Sequence, residues 1–470
     1  MIEIKSKIVK SALSVSLVSL IAINFTGCIS ATGALGIDTS NNVEQDAAFV
    51  KGDFKHSADL AYESKDLESD MDESNLLPTL KAGNSYLYAK DYNKSVSMLS
   101  EAEDIIKYQR EQAMLGSAAD YTAKLLLNDA AVDFQASMTA SIMLNTYKSL
   151  AYMGEGKFSE ARIELNRAMD RQRRAKEVYA KLISKQKEAI AEEKKKGKKV
   201  DSKKAKSIIG KHYSNLDSFK AYPDFVNPFT TYLAGLFFAL EGDYSKSVDL
   251  LKEASSMAPD NKVIASDFKM VDGALSGEKI DKKQVWVIFE NGLGPIKKEV
   301  RVDIPVYLVS KNVSYVGIAL PKIRLRQQAY PFISVNSNDT TSKTEIVGEM
   351  DRVALTEFKF GYKYIITRAV LSATLKAYAQ YQAGKAGGQY ASLAMGLFSA
   401  FTTHADIRAW STLPKDFQVT KVDMPTNGEL DIAYGANHLT AKVDANAKNA
   451  IVYIRIPTAM SVPSVSVVNF

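Results

Sequence analysis

The chain has 470 residues, 46% hydrophobic and 24% charged, with a formal net charge of +6. That length exceeds one ordinary core, so two or three domains are expected, and the composition excludes a disordered chain. The positive charge is local: residues 171–206 hold 15 Lys/Arg against 5 Asp/Glu and the remainder holds 45 against 49, so no nucleic-acid-binding surface is expected.

Lys5, Lys7 and Lys10 precede an apolar run from Ser11 to Phe25. The run is shorter than the ~20 residues that span a bilayer, so residues 1–28 are expected to be a cleaved signal segment. Phe25-Thr26-Gly27-Cys28 resembles the lipobox of bacterial lipoproteins, in which the cysteine thiol takes diacylglycerol, with Phe25 where Leu is usual. Cys28 is the sole cysteine; it is the expected lipidation site, and a chain with no other thiol forms no internal disulfide. Two or more acyl chains, at ~0.8 kcal/mol per buried CH₂, anchor stably. The resemblance implies an address: in a diderm bacterium, Ile29 lacks the aspartate that retains lipoproteins at the inner membrane. The outer membrane, facing the periplasm, is therefore expected. Residues 29–55 are polar and Gly-containing and are expected to form a flexible tether.

Residues 56–275 read as helical, with an internal repeat. Gly83, Tyr86, Tyr92, Ser95, Leu99 and Ala102 recur at the same spacing as Ser149, Tyr152, Phe158, Ala161, Leu165 and Ala168, and as Gly235, Phe238, Tyr244, Ser247, Leu251 and Ala254. In a helical hairpin the small residue lets two helices approach and the aromatic fills the groove beside it. Turns are expected at Lys90-Asp91, Gly156-Lys157 and Gly242-Asp243, with Pro259-Asp260-Asn261 ending the third unit. This pattern resembles the tetratricopeptide (TPR) repeat. Its copies lie 66 and 86 residues apart, more than the ~34 of a regular array, so an irregular TPR-like helical solenoid with helical inserts at 111–135 and 172–226 is expected. The basic run 192–199 falls in the second insert and reads as a solvated tip, with contact to anionic headgroups or an acidic partner as the alternative.

Residues 276–470 are expected to form a mixed-sheet α+β domain with two packed helices. Strands are expected at 284–290, 299–307, 328–335, 418–422, 429–434, 438–443 and 450–456, and a long helix at 350–382. Glycines 384, 387 and 388 are expected to separate it from a second apolar helix ending near Phe401. Gly388, Ser392, Gly396 and Ala400 make a small-residue ridge, which favours packing inside the domain over a membrane-inserting hairpin.

No metal-ligand spacing, GxSxG elbow or phosphate-binding loop is present, so neither cofactor nor metal is expected, and the chain is read as a non-enzyme. Asn291, Gly292 and Gly294 fall in a run expected to be a tight turn between strands. His404 with Asp406 is the one pair suggesting acid/base work; the preferred reading makes Asp406, Arg408 and Trp410 a structural junction.

These pieces resemble a family of bacterial TPR-containing lipoproteins. The matching segments are residues 156–164, Asn227-Pro228-Phe229-Thr230-Thr231-Tyr232-Leu233, Phe289-Glu290-Asn291-Gly292-Leu293-Gly294-Pro295 and Ala405-Asp406-Ile407-Arg408-Ala409-Trp410 with Leu413-Pro414. The resemblance implies an envelope protein, encoded near activators of peptidoglycan synthases, and carries over no catalytic residue. The expected function is a membrane-anchored scaffold for an envelope protein partner. The alternative is glycan or peptidoglycan binding by the Trp and Tyr residues of the C-terminal domain.

Overall fold

The computed structural model describes residues 40–66, 73–115, 134, 136–195, 221–222, 226–303, 317–401 and 403–470. The leader with Cys28, the expected tether from Ile29 to residue 39, the stretch 116–133, residues 196–220 with the second half of the basic run 192–199, and residues 304–307 of the expected strand 299–307 lie outside them.

The helical part comprises α1 (Ser40–Lys51), α2 (Phe54–Glu63), α3 (Leu76–Tyr88), α4 (Tyr92–Leu115), α5 (Met138–Gly154), α6 (Phe158–Lys195), α7 (Pro228–Leu240), α8 (Tyr244–Met257) and α9 (Lys262–Leu275). All three repeats of the sequence form hairpins, α3/α4, α5/α6 and α7/α8. Their turns are built alike: Lys90, Gly156 and Gly242 adopt positive φ. The next residue's N–H reaches back to the Tyr86, Tyr152 or Phe238 carbonyl at 3.0, 2.9 and 2.8 Å, closing the helix end. A Cβ at Gly83 would lie 2.7 Å from the Leu99 side chain, and one at Gly235 2.9 Å from Leu251. Ala102, Ala161, Ala168 and Ala254 are fully buried, as the close helix contact requires.

A fourth hairpin overturns part of the expected tether, because residues 40–55 are helix α1, a turn and the start of α2. Gly52 has φ +85, Asp53 N–H donates to Ala48 O at 3.0 Å, and Ser57 Oγ donates to Gln45 O at 3.1 Å. In the α7/α8 hairpin Ser247 Oγ makes the matching bond to Gly235 O at 2.7 Å. α1 buries Gln45 with Ala48 and Phe49, so its apolar stripe is too thin to register as periodicity.

The strands are β1 (Gln284–Asn291), β2 (Ile296–Asp303), β3 (Gly317–Arg324), β4 (Ser334–Ser337), β5 (Thr340–Lys343), β6 (Glu345–Glu349), β7 (Asp416–Asp423), β8 (Glu429–Tyr434), β9 (Asn437–Lys442), β10 (Asn449–Ile456) and β11 (Ser464–Asn469). A five-stranded sheet runs β11-β10-β1-β7-β6, a four-stranded one β5-β4-β8-β9, and β2 pairs with β3. In the central sheet β1 lies parallel to β10 and antiparallel to β7. Val285, Val287 and Phe289 of β1 face the four-stranded sheet, in one cluster with Val335 and Ile432. Trp286 and Ile288 face the helices, in one cluster with Tyr147, Tyr232 and Phe238. The central strands are covered on both sides, which explains their unbroken apolar sequence. The expected boundary at residue 276 therefore separates helical from sheet-forming sequence, but one core crosses it.

Other expectations change in detail. Of the expected strand 328–335 only Ser334 and Val335 join a ladder, as the start of β4, because the Ala329 and Tyr330 N–H groups are taken by Asn291 Oδ1 at 3.0 and 3.1 Å. The helices expected at 350–382 and up to residue 401 form one element, α10 (Met350–Phe401), broken only at Gly388 (φ 72, ψ −166); Gly384 and Gly387 stay helical. Of the small-residue ridge, Ser392 and Gly396 are buried and Gly388 is exposed. α10 covers the β2–β3 pair through Leu355, Phe358, Ile366, Val302 and Leu320.

Candidate functional site

Between α4, α5 and α6 lies a charged cleft of about 550 Å³, lined among others by Glu103, Arg110, Lys148, Arg167 and Arg171. The hairpin geometry places these groups. Positions 103 and 110 are two turns apart on α4, and 167 and 171 one turn apart on α6, so each pair shares a helix face. Lys148 is almost wholly buried and donates to Glu103 Oε2 at 2.8 Å, with Glu164 Oε1 at 3.3 Å. Arg171 pairs with Glu103, and Arg167 with Glu164 at 2.8 Å. Asn145 Nδ2 donates to Glu164 Oε2 at 2.5 Å.

Arg110 stands apart. Its Nη2 donates to Ser141 Oγ at 2.9 Å and lies 3.7 Å from Met138 Sδ, and among the described residues it makes no ion pair. Burial, and then the charge of Arg171, lower its pKa. Burial alone would raise the Glu103 carboxyl; bonds and charges from Lys148, Arg171 and Asn145 hold it below the usual range. Lys148, Arg167 and Arg171 thus share Glu103 and Glu164, Asp104, Lys107 and Glu111 complete the charged lining, and the planar Arg110 guanidinium keeps N–H groups to spare. Such a site can bind an incoming carboxylate by charge-assisted, bidentate hydrogen bonds.

A second polar cluster, fully buried, joins the helices to the central sheet. Glu290 and Arg455 are register neighbours on β1 and β10. Tyr147 Oη donates to Glu290 Oε1 at 2.9 Å and Tyr88 Oη to Oε2. Arg455 Nε is 3.8 Å from the same carboxylate, while its Nη1 donates to Gly292 O at 2.6 Å and its Nη2 to Thr412 O at 3.2 Å. Burial raises the Glu290 pKa, and Arg455 and the tyrosines oppose it. No part of the cluster meets solvent, so it fixes structure.

No protein-family model matches the chain, and no curated protein matches it.

The sequence motifs map onto the joint rather than the cleft. Gly292 N–H donates to Ile456 O at 3.0 Å and Gly294 N–H to Leu413 O at 2.7 Å. Asn291 Nδ2 donates to Tyr330 O at 2.8 Å and Asp416 Oδ1 at 3.1 Å. A Cβ at Gly294 would lie 2.7 Å from Pro414 O, so the Asn291–Pro295 and Leu413-Pro414 motifs meet. The turn does join two strands, but β1 and β2 belong to different sheets. Trp410 is buried against Tyr147, with ring centroids 5.7 Å apart. Asp406 pairs with Arg408 at 2.9 Å, whereas His404 Nδ1 lies 3.5 Å from Glu299. The imagined His404/Asp406 dyad is split between separate partners. Both tryptophans, Trp286 and Trp410, are buried in the core and offer no glycan platform. The charges of the cleft come from three separate windows of the sequence, 103–111, 148 and 167–171, which only the packing of the hairpins brings together. Lys148, a charge inside an otherwise apolar helix, was the one available signal.

Proposed function

We propose that the chain is a lipid-anchored envelope scaffold whose TPR-like hairpins hold a protein partner by an acidic segment seated in the charged cleft. The observation that carries this reading is Arg110, a half-buried guanidinium without a carboxylate partner among the described residues. The Cys28 motif supplies the anchor and the outer membrane its address; Cys28→Ser is expected to abolish acylation, read by incorporation of labelled palmitate. No catalytic step is part of the proposal.

A charge-assisted bond to a partner carboxylate contributes about 1.5–3 kcal/mol, so Arg110→Gln is expected to weaken the complex roughly 10- to 100-fold. Crosslinking in cells followed by pull-down should recover one envelope protein reproducibly from the wild type and lose it with Arg110→Glu. Recovery that is irreproducible, or unchanged by Arg110→Glu, contradicts the reading.

A further inference from the structure

We infer that the Gly388 tip of α10 contacts an anionic lipid surface. Residues 358–405 contain five Lys/Arg and no Asp or Glu. Within this stretch α10 folds on itself: the backbone leaves helical geometry only at Gly388. Lys376 Nζ then reaches Thr403 Oγ1 at 3.4 Å, which brings the end of the second limb back beside the first and puts Gly388 at the turn.

The limbs bury a polar and small-residue seam that includes Lys376, Gln380, Ser392 and Ser399. The opposite side is apolar and open: Tyr390 is 79% exposed, Leu393 51% and Tyr378 48%. Tyr390 and Leu393 lie one turn apart on the second limb, and exposed Lys385 lies two turns from Tyr378 on the first. Exposed large apolar side chains grouped this way mark an interaction surface.

The charge selects the occupant. A second copy would set one acid-free, cationic hairpin against another, so self-association is disfavoured by like charge. An anionic bilayer accepts every part of the tip: tyrosine rings at headgroup depth, leucine below them, and a lysine at the surface with no carboxylate to repel the headgroups. The second limb, residues 389–401, is ~20 Å long at 1.5 Å per residue, short of the ~30 Å hydrocarbon layer. The contact is therefore interfacial.

The test uses residues 40–470, which carry all of the described fold and neither the acyl group nor the apolar leader. Phosphatidylcholine vesicles with and without phosphatidylglycerol are the probe. Trp286 and Trp410 are buried, so Tyr390→Trp adds a reporter at the tip; its emission is expected to shift to the blue only with phosphatidylglycerol vesicles, which also sediment the protein. Tyr390→Glu with Leu393→Glu should weaken sedimentation at least about tenfold at an unchanged melting temperature. Absence of sedimentation, sedimentation indifferent to that double substitution, or a blue shift that tracks protein concentration without vesicles would each overturn the inference, the last by making the tip a subunit contact.

Discussion

Lys90 holds a positive φ that glycine takes in the equivalent turns at 52, 156 and 242. Lysine gives up ~1 kcal/mol there through its Cβ. Lys90→Gly should raise stability by about that amount in denaturant melts, and Gly242→Ala, which has open space but φ +80, should lower it similarly. Asp416 makes a separate statement about pH. Burial, against bonds from Gln418 and Asn291, raises its pKa from 3.8 to about 6. Its folded form prefers the proton, so its contribution is complete below pH 3.8 and is lost as pH rises through about 6, on the order of 3 kcal/mol. Glu103 acts oppositely, stabilising above the ordinary carboxylate range and losing that contribution on acidification. The melting temperature measured from pH 4 to 7 should fall less with Asp416→Asn than in the wild type; identical slopes would refute the assignment.

The three hairpins were legible because each repeats a sixfold set of residues whose sizes are dictated by one helix contact. The first hairpin was not, since Gln45 and Ala48 replace the small and aromatic residues and only Gly52-Asp53-Phe54 with Ser57 keeps the turn signature. Strands β1, β8 and β10 were legible from apolar runs. β3, β5, β6 and β11 were missed: β3 carries Pro321, β5 is polar throughout, and β6 and β11 are short runs that gain their meaning from β7 and β10. α9 was missed too, because Asn261 is at once the end of one helix's turn and the N-cap of the next, accepting from Ile264 N–H at 2.9 Å. Close packing makes a sharp prediction for the repeat. Gly235→Val should destabilise by about 1–3 kcal/mol, since the added carbon meets Leu251. Leu251→Ala in the same chain should restore part of the loss, which a double-mutant cycle would measure.

Helices and sheets are tied through Glu290 and Arg455, and through Asp267, which accepts from Tyr232 Oη at 2.8 Å, Trp286 Nε1 at 3.1 Å and Lys421 Nζ at 2.8 Å. Breaking a buried ion pair on one side costs about 3–5 kcal/mol. Arg455→Met should therefore lower the stability of helical and sheet parts together in one unfolding transition, and Arg455→Met with Glu290→Leu should be less damaging than Arg455→Met alone. Tyr147 of α5 belongs to this joint and the hairpin packing sets α4 and α6 beside α5, so the cleft is built in advance of any ligand and Arg110 is left to meet an outside carboxylate. The most direct test places a photocrosslinking side chain at Lys107, on the cleft rim, and a second at exposed His438 on the four-stranded sheet. In cells, one discrete adduct is predicted from position 107, lost with Arg110→Glu, and none of that mass from position 438. Equal adducts from both positions, or an adduct at 107 that survives Arg110→Glu, would contradict the account.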